Sequence, residues 1–151
     1  MKKIEKISEG GNYTAITVGA MNELCEHRLV LSPEVVMKGK VFTGKALGAT
    51  GAEMSFQYFA PGQGIPFLHT HKKHEELYLI ISGDGEFQVD GSVFPVSEGA
   101  IVRVAPNGKR SLRNTGNKPM IMICVQYRAG SFDESDTPNK DGVMLNDKVN
   151  W

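Results

Sequence analysis

The chain has 151 residues, 40% of them hydrophobic and 23% charged, with 17 basic residues against 17 acidic ones. That length suits one domain able to bury roughly 70% of its extended surface. The zero net charge and the lack of a Lys/Arg run argue against a nucleic-acid partner, and no apolar run nears the roughly 18 residues of a membrane span.

The N-terminus, Met1 to Lys6, carries basic residues with no apolar stretch behind them, so no secretory leader is expected. Cys25 and Cys124 sit far apart and share no motif, which fits free thiols and a cytoplasmic location.

In the first fifty residues, Thr14 to Val18 and Val35 to Val41 read as extended, and Ala20 to Leu31 reads as a short helix. Residues 1–50 are expected to form an arm of strands packing on a barrel. From Glu53 onward, short apolar or alternating runs are separated by turn chemistry. Strands are predicted over Met54–Phe59, Glu76–Ile81, Glu86–Val89, Ser92–Val96, Ala100–Val104, Ser111–Asn114 and Met120–Tyr127. Asp90-Gly91 between the third and fourth is a favoured two-residue hairpin turn. This spacing predicts an all-β barrel or sandwich, its core over residues 51–128. Residues 129–151 read as a polar tail, anchored by Val143, Leu145 and Trp151.

Three of the four histidines, His69, His71 and His74, fall within six positions. Positions two apart in a strand project from one face, with Cα atoms about 6.5–7 Å apart. His69 and His71 can then converge on one ion, joined by Glu76 at the start of the next strand. Two His and one carboxylate suit Fe(II), Mn, Ni or Zn and leave coordination positions open for substrate or water. On that next strand Glu76, Tyr78 and Ile80 would face inward. His74, beside Lys72 and Lys73, reads as a solvated loop residue and spare donor, and Glu75 as solvent-facing.

The order Gly62 or Gly64, His69-x-His71, four residues, Glu76, six residues and Gly83 closely resembles the first motif of the cupins. The continuation Gly85-Glu86-Phe87-Gln88-Val89-Asp90-Gly91 is similar to the small single-domain members. The resemblance covers roughly Glu53 to Tyr127. It implies a double-stranded β-helix (jelly-roll) barrel, a homodimer, and a pocket inside the barrel with His69, His71, Glu76 and position 110 around it. Cupins usually place a fourth ligand, a histidine, in a second motif. Aligning that motif on Gly99 and Asn114 puts Arg110 there, and aligning on Pro106 and Gly108 puts Ser111 there.

Arginine stays protonated and is no ligand. A guanidinium about 6 Å from a divalent ion, at an effective dielectric near 20, is repelled by roughly 5 kcal/mol gross. Two arrangements satisfy this: Arg110 clamps a substrate anion beside the metal, or it pairs with Glu76 and the metal is weak or absent. Tyr78 reads as a proton donor or as barrel packing, and Gln57 and Gln126 as substrate contacts or solvated strand residues. Cys124 reads as a small core hydrophobe.

The leading functional reading is a small cupin that holds a divalent metal through His69, His71 and Glu76 and binds or acts on a small organic molecule, an anion if Arg110 clamps it. If it is an enzyme, a dioxygenase or an isomerase or epimerase is expected. The alternative is a non-enzymatic module binding a sugar or metabolite at a degenerate metal site.

Overall fold

The computed structural model describes residues 2–151. Two N-terminal hairpins come first: β1 (Glu5–Gly10) with β2 (Tyr13–Thr17), and β3 (Arg28–Ser32) with β4 (Val35–Lys38). Then follow β5 (Lys40–Phe42), the short helix α1 (Gly44–Leu47), β6 (Ala52–Phe59), β7 (His74–Ser82), β8 (Asp84–Val89), β9 (Ser92–Ser97), β10 (Ile101–Val104), β11 (Arg110–Asn114) and β12 (Met120–Arg128). The helical turn α2 (Pro138–Asp141) lies in the tail.

Two antiparallel sheets make the barrel. One has the order β10-β7-β12-β6-β5 and the other β11-β8-β9. From β6 onward the chain passes back and forth between them, the path of a double-stranded β-helix. Their inner faces share one core, built from Phe59, Tyr78, Ile80, Val104, Met120, Met122 and Cys124 of the first sheet with Phe87, Val96 and Leu112 of the second. The period-two alternation needed for this is plain in β7, where Glu76, Tyr78 and Ile80 are buried and Leu77 and Leu79 are less so. At the β8–β9 hairpin, Asp90 and Gly91 both adopt positive φ, 49° and 89°, as a type I′ turn requires.

The outer face of the larger sheet is covered as well. Val18, Leu24 and Val41 pack with Ile121 there, against Phe56 and Tyr58. The edge strand β5 also comes from the first fifty residues.

Three local expectations are corrected. The helix over Ala20 to Leu31 is a 3-10 turn at Met21–Glu26 followed by β3. Position 20 is an alanine, whose side chain cannot accept a capping hydrogen bond, and the chain is extended again at His27. The tail is not anchored: Val143, Leu145 and Trp151 are all exposed. Finally, His69 and His71 lie in no regular strand. Pro61, Gly62, Gly64 and Pro66 interrupt residues 60–73, which touch β11 through single bridges, Gly64 to Arg113 and His69 to Arg110.

Candidate metal centre

Those bridges position the site. Residues 63–71 run alongside β11, where Leu112 O accepts from Ile65 N at 2.9 Å and Asn114 N donates to Gln63 O at 2.8 Å. His69 and Arg110 exchange both backbone hydrogen bonds, at 3.2 and 3.0 Å, so they sit directly opposite each other. Asn107 N then donates to His71 O at 2.8 Å. Gly64 permits the approach, because a Cβ there would lie 2.6 Å from that of Arg113 and 2.9 Å from Leu112 O.

The pairing also decides between the two registers of the second motif. Arg110 faces the barrel interior with no solvent exposure, whereas Ser111 donates its hydroxyl to Ile65 O at 2.7 Å.

β7 brings Glu76 to the same place. One ligand atom from each of His69, His71 and Glu76 lies within 4.8 Å of the others, a grouping that could hold a metal ion. Donors each about 2.1 Å from one ion stand roughly 3.0–3.4 Å apart in octahedral or tetrahedral geometry; His71 Nε2 and Glu76 Oε1, 3.2 Å apart, already have that spacing, and the wider separations close by about 1–2 Å shared between side chains. The Nδ1 of His69 is buried without any hydrogen-bond partner, which fits a ligand of that kind. Burial lowers the pKa of His69, and the Arg110 charge adds to this, favouring the neutral imidazole that ligation needs. His74 opens β7 opposite Arg128 and lies outside the grouping.

Glu76 divides its two oxygens between different neighbours. Oε1 stands 3.2 Å from His71 Nε2 and 3.5 Å from the thiol of Cys124. Oε2 accepts from the Tyr78 hydroxyl and from Arg110 through Nη2 and, at 3.0 Å, Nε. Arg110 further donates Nη1 to Gly108 O at 3.0 Å. Burial pushes the Glu76 carboxyl up, but the Tyr78 and Arg110 donors prevail and hold it below the ordinary carboxylate range. The Tyr78 hydroxyl is shifted upward by burial and by Glu76 and stays protonated. The guanidinium thus turns toward Glu76, Tyr78 and Gly108 and does not line the cavity.

Glu75, one residue away, points to the other side of the sheet. Bidentate hydrogen bonds from Arg103 at 2.7 and 2.8 Å, and one from Tyr127 at 2.9 Å, hold its carboxyl down at about 2. It is therefore ion-paired and not simply solvated.

Beside the histidines is a cavity of about 220 Å³, below the roughly 300–1,000 Å³ of drug-sized ligand sites. Gln57, Tyr78, Cys124 and Gln126 line it along with the three grouped residues. Sequence reasoning missed several others: Leu29, Leu31 and Met37 of the second hairpin, and Lys40 and Phe42 of β5. Lys40 is a charged residue in an apolar strand, which was a signal, but which way it faces depends on pairing with β6.

A barrel of this topology, with histidines and a glutamate grouped at its cavity, defines a class, and the comparisons identify it. A family model described as "Cupin domain" matches residues 55–126. A cupin protein from Bacteroides fragilis is 33% identical, with a TM-score of 0.66 over 79% of this chain and 96% of its own. The chain belongs to the cupin family. An uncharacterized protein of Methanocaldococcus jannaschii is 30% identical over 69 residues, 46% of this chain and only 55% of that relative's length. An oxalate-binding protein of Thermotoga maritima is 28% identical over 93 residues, 58% of this chain and 76% of its own.

Proposed function

We propose that this cupin binds a divalent metal ion through His69, His71 and Glu76 and uses it to hold a small organic molecule in the adjoining cavity. The observation that carries this reading is the convergence of three ligand atoms within 4.8 Å, one contributing histidine having a buried nitrogen without a partner. Bound there, an ion of the Fe, Mn, Ni or Zn type would supply Lewis-acid polarisation at its open positions.

The chain's own residues orient the set. Arg110 and Tyr78 fix Glu76 through Oε2, leaving Oε1 toward His71, a second layer of contacts of the sort that tunes metal ligands. In this role Arg110 is a positioning residue. The cavity's apolar walls exclude water from whatever it binds, and the name of the Thermotoga relative supports a small-molecule ligand.

Thermal and chemical unfolding of chelator-stripped protein tests the reading. An ion that binds only the folded chain, added at about 100 times its Kd, stabilises by about 2.7 kcal/mol. The His69→Ala/His71→Ala variant should show no such gain.

A second reading is a metabolite-binding barrel with a weak metal site or none. The ion pair between Arg110 and Glu76 favours it, since Glu76 is already neutralised there. Equal stability of the native chain with and without each metal would select it.

We also propose a homodimer, supported by apolar side chains exposed on the second hairpin, among them Val30, Leu31 and Val36. The two free cysteines support a reducing, cytoplasmic setting.

A further inference from the structure

Two charged residues of the cavity take no part in the contacts around Glu76: Glu53, whose Oε1 accepts from Thr43 N and Gly44 N, and Lys40. Its Nζ donates to Ser55 Oγ at 2.9 Å and stands 5.0 Å over the Phe42 ring. An ammonium has three donors, and Lys40 forms no ion pair with any described carboxylate. Its burial disfavours the charge. Glu76 and Glu53 favour the charge from a distance, but neither pairs with Lys40 directly, so its ammonium keeps donors free for an anionic occupant of this largely apolar wall.

The neighbouring residue is incomplete in the opposite sense. Gln57 is 3% exposed and donates Nε2 to two carbonyls, Lys38 O at 3.0 Å and Tyr58 O at 2.9 Å. Those two acceptors fix the orientation of the amide, and Oε1 is left buried without a partner. Lys40 and Gln57 are direct cross-strand partners, so both project from the same face of the sheet. Phe42, Phe67 and Met122 supply apolar wall around them.

We propose that Lys40 and Gln57 select a small hydroxy acid, Lys40 binding the carboxylate and Gln57 Oε1 accepting from the hydroxyl while the apolar wall covers the hydrocarbon body. This rests on the cavity being the ligand site, as proposed above, and does not require the metal. A second carboxylate, as in oxalate, would find no further free Lys or Arg in this cavity among the described residues, since Arg110 is held by Glu76. Both are specificity residues, not groups that take part in bond making.

Calorimetric titration of the chelator-stripped full chain with 2-hydroxy-3-methylbutanoate, its amide and 3-methylbutanoate tests the assignment. The hydroxy acid should bind more tightly than the amide by roughly tenfold or more, the size of one charge-assisted hydrogen bond. Lys40→Met should abolish that preference while melting no lower than the native protein, because it removes a buried charge. Lys40→Arg should restore part of the preference, and Gln57→Leu should remove only the advantage over 3-methylbutanoate.

Equal binding of acid and amide, tighter binding of oxalate in a fourth titration, retention of the preference in Lys40→Met, or no heat from any of the first three at millimolar concentration would overturn the proposal. Metal content is read separately. A chain that takes up no metal yet prefers the hydroxy acid through Lys40 keeps this inference and loses the metal centre.

Discussion

Glu76 links the two halves of the site through its separate oxygens. Oε2 and the guanidinium of Arg110 are both out of solvent, so neither group has water to replace the other. Glu76→Gln should therefore cost about 3–5 kcal/mol of unfolding free energy, because an uncompensated charge stays buried. Urea denaturation of metal-free protein measures this, and a loss below about 1 kcal/mol would mean that Arg110 has another counter-charge. Cys124 gives a second test. Burial pushes its thiol up to about 12, with Glu76 adding to the shift, whereas Cys25 is exposed. Iodoacetamide at pH 8 should label one thiol in the folded chain and two in denaturant. At this scale the two histidines and Glu76 were readable, because their spacing is carried along a short stretch of chain. The direction taken by Arg110 was not. Two registers of the second motif fitted the sequence, and only the pairing of β11 with residues 63–71 separates them.

Among the elements, the irregular segment at residues 60–73 matters most, since it carries both histidines while bonded to β11 at a few points. Gly64→Ala forces a Cβ into Arg113 and Leu112 O, so the segment must lift from β11. We expect a loss of about 1–3 kcal/mol, the usual cost of overpacking, together with weaker metal uptake in an equilibrium titration. Unchanged stability would mean that the segment is not held as described. The strands from β6 to β12 were legible because one face of each meets the core and the alternation follows. β3 was not: Val30 and Leu31 are consecutive and both exposed, so the strand carries no alternating signal. The same gap concealed the cavity's second wall, which comes from β3, β4 and β5.

On the scale of the whole molecule, the sheets close on one core, and the N-terminal residues cover the outer face of the larger sheet. The polar composition of the tail was readable, and its lack of anchoring was not, because apolar residues such as Leu145 and Trp151 look like anchors until their surroundings are known. Deleting residues 132–151 should change the unfolding free energy by less than about 0.5 kcal/mol. Trp151 is the chain's sole tryptophan and is exposed, so its emission should barely respond to denaturant. A large shift on unfolding would place it against the barrel.

The proposed function depends on His69, His71 and Glu76 forming a metal centre. Elemental analysis of the purified, untagged protein beside its His69→Ala/His71→Ala variant tests this most directly. Near-stoichiometric Fe, Mn, Ni or Zn is expected in the native chain and none in the variant. A native chain that stays free of metal after reconstitution, or a variant that retains it, would rule out metal binding by these residues.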